Sequence, residues 1–276
     1  ELKKTETIDV MDAVGSNIRV DTYDWEVKRV LPRINEEINE EWISDKTRYA
    51  CDGLKNQRLD KPLIKNNGNF EETSWQNVYK KILEKISKSS PDKIVGLTGD
   101  MTNMETMFIC KRLFEKTLNS KFLDSRSENT YVNFENRCNY IFNSTIEGIE
   151  ETDLLLLIGT NPRFEATILN SRIRKSYLKN KTKIFSLENI GDLTYPYKVL
   201  ENDIEVINKI IKNEHELSDK IISSKKPIII LGQSILNSNN GAYVFEELKK
   251  YLKSINKIND NWNSLNILPI NASDVG

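Results

Sequence analysis

Few side chains in this sequence carry the chemistry of a reaction centre. A general acid or base working near neutral pH needs a group that titrates there, and His215 is the one histidine. It lies in Asn213-Glu214-His215-Glu216, a polar stretch that reads as a surface helix start. No Ser/His/Asp or Cys/His set can be built around it. The three cysteines, Cys51, Cys110 and Cys138, are far apart, with no C-x-x-C pair. A cluster takes four thiolates and structural zinc a similar set, so these read as ordinary buried or half-buried thiols in a reducing compartment. Asp9 and Asp12 bracket a turn and read as backbone caps, and Glu36 to Glu41 as a solvated acidic run. The residues therefore predict no catalytic group and no metal site.

Binding is the remaining possibility, and it points to glycine-bearing strand ends. Gly96-Leu97-Thr98-Gly99 and Gly159-Thr160-Asn161 are two of these. Neither has the G-x-G-x-x-G fingerprint nor the Lys-Ser/Thr of a P-loop. The second follows Asp153 to Ile158, apolar enough for a central strand covered on both faces, and precedes a helix over Glu165 to Tyr177. A loop at the carboxyl end of a parallel strand is where α/β sheets bind ligands. Gly159, Thr160, Asn161, Pro162 and Arg163 are therefore the candidate cleft residues, read as a vestigial cleft filled by side chains.

The elements that position this loop alternate. Leu2 to Asp9 is a lead strand, and Ile18 to Leu31 a hairpin interrupted at Asp21 to Asp24, with Trp25 resuming the alternation and Pro32 ending it. Ser44 caps a short helix within Trp42 to Leu54, and Asn66-Asn67-Gly68 turns a second hairpin. Ser74 caps a helix over Trp75 to Ser87. A buried strand over Lys93 to Gly99, a helix over Asn103 to Leu118 and a short strand at Phe122-Leu123 follow. Ser125 to Asn143 is irregular, pinned by Tyr131, Phe134 and Tyr140. Beyond Tyr177 come a strand at Lys183 to Leu187, helices at Asp203 to Lys212 and His215 to Ser223, a strand at Pro227 to Leu231, a turn at Gly232-Gln233-Ser234 and a helix at Ala242 to Leu252. Trp262 to Ile270 carries no signal of its own. The pattern predicts an α/β fold: a doubly wound, mainly parallel sheet over residues 74–276, behind a small β-rich subdomain over 1–73.

At 276 residues with 38% apolar and 29% charged, the chain is globular and can bury a sizeable core. Its net charge of −1 gives no footprint for nucleic acid or an anionic membrane. No apolar run has the roughly 20 residues that cross a bilayer. The richness in Asn, Ile and Lys suggests an AT-rich, organellar genome.

The segment IDVMDAVGSNIRV, followed by EVKRVLPRINEEINEEWISDKTRYACDGLKNQRLDKPLI, resembles the large iron-sulfur subunit of respiratory complex I, most closely the mitochondrial type. GTNPRFEATILNSRIRKS resembles the same family. Its members join cluster-binding motifs to a domain like a molybdopterin oxidoreductase without its working metal, in which the loop matching Gly159 to Arg163 helps to hold the cofactor. In the molybdopterin enzymes a C-x-K-G-R-like motif leads toward the cofactor, and Ser44-Asp45-Lys46-Thr47-Arg48 replaces its glycine with Thr47.

The resemblance implies a chain that begins after the last cluster cysteine, stops before the C-terminal half, and holds no cofactor. Iron-sulfur clusters are then expected on a partner or on a missing N-terminal part. The implied role is structural docking, with no enzyme activity of its own. Its partners would be matrix-arm subunits, reached through Trp25, Arg29, Arg33 and Trp42, on the matrix side of the mitochondrial inner membrane. The alternative is a fragment of an active molybdopterin enzyme, whose metal ligand would lie near Ser125, Ser127 or Cys138.

Overall fold

The computed structural model describes residues 1–125, 129–201 and 203–275. The chain opens with a three-stranded antiparallel sheet of β1 (Lys3–Ile8), β2 (Asn17–Tyr23) and β3 (Glu26–Pro32), in sequence order. Asp21 and Thr22, expected to interrupt the hairpin, instead continue β2 through an irregularity in the ladder. The reason is charge pairing: the buried Asp21 carboxylate accepts from Arg19 Nε at 2.9 Å and Arg29 Nε at 2.7 Å. Those two hydrogen bonds hold its pKa below the usual aspartate range. The chain reverses at Asp24-Trp25, both at positive φ (49° and 66°), which places Trp25 fully exposed at the hairpin tip rather than on the strand.

Ser44 caps α1 (Asp45–Tyr49) by accepting from Thr47 N at 3.1 Å, and Thr47 Oγ1 donates to Asp9 at 2.6 Å, tying the helix to the end of β1. The helix is shorter than expected because Ala50–Lys55 tightens to 3-10 form. β4 (Leu63–Asn66) and β5 (Asn69–Glu72) form the predicted hairpin, with Asn67 and Gly68 both at positive φ as a type I′ turn requires. α2 (Trp75–Ser87) begins at the predicted Ser74 cap. β6 (Gly96–Leu97) runs parallel to β7 (Leu123–Asp124), joined by α3 (Met104–Arg112), whose continuation to Leu118 widens into a π-turn. The strand expected to be buried over Lys93 to Gly99 shrinks to two residues and leaves Val95 and Leu97 exposed, because among the described residues β7 is its one sheet neighbour and nothing covers those two side chains.

The main sheet is built from β8 (Leu154–Ile158), β9 (Lys183–Ser186), β10 (Lys198–Val199), β11 (Pro227–Gly232) and β12 (Leu265–Leu268). All its pairings are parallel, in the order β10-β9-β8-β11-β12, so the winding reverses beside β8 as a doubly wound sheet requires. Helices α4 (Pro162–Glu165), α5 (Thr167–Asn180), α6 (Ile204–Ile211), α7 (Glu216–Ser223), α8 (Gln233–Leu236) and α9 (Gly241–Ser254) connect the strands. Leu154, Leu156 and Ile158 face a core shared with α6, α7 and α9, and Leu155 and Leu157 face the one shared with α5. The side chain of His215 caps α7, accepting from Leu217 N at 3.1 Å.

Further stretches depart from the reading of the sequence. Gly232-Gln233-Ser234 begins α8 rather than a plain turn. β12 forms in the stretch that carried no signal, because the buried Asn266 side chain accepts from Asn143 N and Ser144 N and so locks the irregular segment onto the sheet. Tyr131 packs on Phe245 as a pin, with ring centres 5.8 Å apart, but Phe134 is exposed and reaches only Tyr140. Because Leu156 is fully buried at the sheet centre, Leu156→Ala is expected to cost about 3 kcal/mol, read from the midpoint of urea denaturation.

Candidate functional site

Gly159 ends β8 with φ +64°, and a Cβ there would lie 2.5 Å from the backbone nitrogen of Ile235 in α8. Gly232 ends β11, and a Cβ there would overlap the carbonyl oxygen of Gly159 and Cβ of Thr160. The carboxyl ends of the two central strands therefore abut at the switch point, where a ligand crevice opens in sheets of this type.

The polar groups of the loop are turned inward. Thr160 Oγ1 donates to the Glu165 carboxylate, whose other oxygen accepts from Asn161 N at 3.0 Å. Asn161 Oδ1 caps Arg163 N at 3.1 Å, and Asn161 Nδ2 donates to Ile190 O at 2.8 Å. Arg163 Nη1 reaches the Asp192 backbone and side-chain oxygens, each at 2.7 Å. The Thr194 N–H and then the Arg163 guanidinium hold the Asp192 carboxyl below its ordinary range. Glu165 thus supplies the anion at a helix start where a phosphate group would otherwise sit. Its role was not anticipated, although a carboxylate four residues after an Asn cap, close to capping-box spacing, was a signal for it.

The cavity nearest the loop is not lined by the loop residues themselves. A cavity of about 80 Å³ lies over the ends of β11 and β12, lined by Thr130, Tyr131, Gln233, Leu236, Ile267 and Pro269. Cofactor-sized ligands occupy several hundred Å³. Among the described residues, Gln233 Oε1 lies buried there without a hydrogen-bond partner. Larger open clefts, of about 700 Å³ beside Lys226 and Trp262 and about 1080 Å³ beside Met107 and Tyr140, include none of residues 159–163. The Thr160 and Asn161 side-chain donors are spent within the protein, a donor set that does not fit a pterin cofactor. Cys138, expected at least half-buried, is exposed in the cleft beside Lys226 and Trp262, at the amino ends of the strands. Ser127 lies outside the described residues.

The helix that follows the loop has a second task. Arg172 on α5 is buried, and its guanidinium donates to Glu36 O, to Ile38 O and to the Glu150 carboxylate, with Glu40 Oε1 at 3.3 Å. Lys175 joins the same two carboxylates. The acidic run over Glu36 to Glu41 is therefore not merely solvated: Glu40 and two backbone carbonyls anchor the N-terminal sheet to the α/β core. Asp9 and Asp12 cap the turn between β1 and β2 as expected, accepting from Met11 N and Val14 N.

A model of the molybdopterin oxidoreductase family matches residues 58–276. The chain belongs to the molybdopterin oxidoreductase family. Residues 2–52 match a second model, NADH-ubiquinone oxidoreductase NDSU1/NuoG-like, 4Fe-4S domain. Over its whole length the chain is 41% identical to the NADH-ubiquinone oxidoreductase 75 kDa subunit of Reclinomonas americana, covering 42% of that protein. It is 41% identical to the mitochondrial NADH-ubiquinone oxidoreductase 78 kDa subunit of Candida albicans, covering 38% of it, and 39% identical to the mitochondrial NADH dehydrogenase [ubiquinone] iron-sulfur protein 1 of Solanum tuberosum, covering 37%. The chain thus spans about two fifths of the length of these relatives. Acetylene hydratase from Pelobacter acetylenicus shares the fold, with a TM-score of 0.54 and 15% identity over 99% of this chain and 37% of that one.

A 4Fe-4S cluster takes four thiolates, and the chain has one cysteine within residues 2–52. Cys51 donates weakly to Arg48 O at 3.7 Å, and no group of three or more metal-ligating side chains converges among the described residues. The residues present do not fit a cluster by themselves.

Two outcomes follow. Glu165→Ala removes the shared acceptor of Thr160 and Asn161 and is expected to lower stability by about 1–3 kcal/mol, measured by chemical denaturation. Burial pushes the Glu150 carboxyl up, but hydrogen bonds from Lys175 and Arg172 outweigh it and hold its pKa below the ordinary range. A depressed carboxyl contributes stability above its unfolded value of about 4.3 and loses it as pH falls through the folded value. The melting temperature is therefore expected to fall with acidification below about pH 4.3, and less steeply in Glu150→Gln, as thermal scans across pH will show.

Proposed function

We propose that this chain is the molybdopterin-oxidoreductase-like portion of the large iron-sulfur subunit of respiratory complex I, working as a structural and docking body in its matrix arm. Identity of 41% along the whole chain to the 75 kDa subunit carries this reading. The internally bonded loop at Gly159 to Arg163 supports a structural role, with the vestigial cleft filled by the protein's own side chains. Electrons from NADH would pass toward ubiquinone through clusters held by other polypeptide, and the chain would brace that cluster-bearing part. A peripheral position on the matrix side of the mitochondrial inner membrane fits chemistry of this kind. We place the boundary of the N-terminal β-rich subdomain near residue 73.

Trp25 is the foremost docking anchor, as a rigid aromatic held clear of the fold at a hairpin tip. Arg29, Arg33 and Trp42 lie on the same N-terminal body, although Arg29 and Arg33 also pair locally with Asp21 and Asn17. The reading as an active molybdenum enzyme is weaker, since the side-chain donors of Thr160 and Asn161 are spent inside the protein.

Native-gel migration tests the proposal. Co-migration with a large NADH-oxidising assembly is the expected result, and migration as a free species near 32.0 kDa overturns it. Trp25→Ala should weaken retention in that assembly at least tenfold in a pull-down while leaving the melting temperature of the isolated chain within about 1 °C.

A further inference from the structure

The turn between β1 and β2 holds two carboxylates out of solvent. Asp9 is 3% and Asp12 2% exposed, and neither forms an ion pair among the described residues. A buried charge without a counter-charge is costly, and capping a turn does not require burial. Each carboxylate also keeps acceptor capacity that the protein leaves unused, since an ionised carboxylate has about four acceptor positions. Asp9 accepts from Met11 N at 3.1 Å through Oδ1 and from the Thr47 hydroxyl at 2.6 Å through Oδ2. Asp12 accepts from Val14 N at 2.9 Å through Oδ1, and its Oδ2 receives no hydrogen bond from the described residues.

A third oxygen faces the same side. Ser16 is 1% exposed, and its hydroxyl has no hydrogen-bond partner among the described residues. The β1–β2 register sets Ile8 opposite Asn17, and the next pair is Asp9 opposite Ser16, closed by Asp9 N donating to Ser16 O at 2.8 Å. Directly opposed residues of an antiparallel pair carry their side chains on one face, with Cβ atoms about 5 Å apart. Ser16 Oγ is therefore aimed to the side that holds the Asp9 carboxylate. Thr47 and Ser44, whose hydroxyls lie 2.8 Å apart, close this side from α1 and fix Asp9 in place. Burial pushes the Asp12 carboxyl up against the pull of the Val14 N–H, and the Asp9 charge adds to the push, so the two carboxylates share one environment. Lys46 opposes that push, but it is exposed and bonds to neither.

These oxygens define the ligand. Carboxylates and a hydroxyl, without sulfur or imidazole, suit a hard cation rather than zinc or an iron-sulfur cluster. Two carboxylates balance a divalent charge. The third donor is a neutral hydroxyl, since no three carboxylate, histidine or cysteine side chains converge among the described residues. Magnesium demands near-ideal octahedral geometry and keeps several waters, whereas calcium accepts irregular oxygen sets. A site buried between a turn and α1 therefore favours calcium.

We propose that Asp9, Asp12 and Ser16 form a calcium-binding site that ties the β1–β2 turn to α1, with Thr47 and Ser44 as positioning residues for the Asp9 carboxylate. This inference stands apart from the complex I reading, because it rests on the turn and α1 alone and is tested on the isolated chain.

The test is calorimetric titration of the full chain with calcium chloride after chelator treatment, paired with thermal scans. One calcium per chain is expected, with a dissociation constant tighter than about 1 mM and a melting temperature that rises with calcium concentration. Ser16→Ala removes a hydroxyl that bonds to nothing in the protein. Its metal-free melting temperature should stay within about 1 °C of the unsubstituted chain while calcium affinity falls at least about tenfold. Asp12→Asn removes a buried charge and should abolish the calcium response; if that variant does not fold, Ser16→Ala decides alone. Calcium held by the acidic run over Glu36 to Glu41 would survive both substitutions. No saturable binding, unchanged affinity in either folded variant, or a magnesium response as strong as the calcium one overturns the proposal.

Discussion

The buried guanidinium of Arg172 is the constraint on which the arrangement of this chain depends. It sits where the N-terminal sheet meets α5, and its hydrogen bonds run to two backbone carbonyls of the Glu36 to Ile38 segment and to the Glu150 carboxylate. A buried charge with incomplete partners is strongly destabilising, so the groups around it are held to one geometry. Those groups come from three places: the loop after β3, the 3-10 turn that leads into β8, and α5. One side chain thereby sets the N-terminal sheet against the first strand and first helix of the doubly wound sheet. Lys175, one turn further on, shares both carboxylates and balances the local charge.

That same α5 follows the loop at the carboxyl end of β8, the place where doubly wound sheets bind ligands. Closing the loop and docking the N-terminal sheet are physically linked, because Pro162 to Ala166 sets how α5 enters and Arg172 fixes where it lies. The helix breaks at Ala166, so the first turn is a separate four-residue piece whose donors are taken by Asn161 and Glu165. Gly159 and Gly232 then let the strand ends touch. The Thr160 and Asn161 side chains therefore spend their donors on the protein itself.

Much of the fold was legible in the residues. β8 and β11 are continuous apolar runs, and a strand covered on both faces has no other way to read. Ser44, Ser74 and the Asn67-Gly68 turn were visible because caps and turns depend on local chemistry alone. The misses share one cause, which is dependence on distant partners. Asp21 stays in a strand only because Arg29, eight residues on, reaches it, and β12 exists only because Asn266 engages residues more than a hundred positions earlier. The Gly159 to Arg163 loop was found by its place after a strand, but its closure rests on Glu165 and on the glycine of another strand. Nothing in five contiguous residues encodes that.

The uneven distribution of burial also separates two kinds of stability within one chain. Around β8, apolar strand residues are packed on both faces and the fold is self-sufficient there. Around β6, helices with correct caps and a correct turn form nonetheless, with their apolar faces exposed. Local signals suffice to define those helices but contribute only about 1 kcal/mol per cap, far less than a packed face. Among the described residues, 58–125 therefore bury far less apolar surface than the main sheet does.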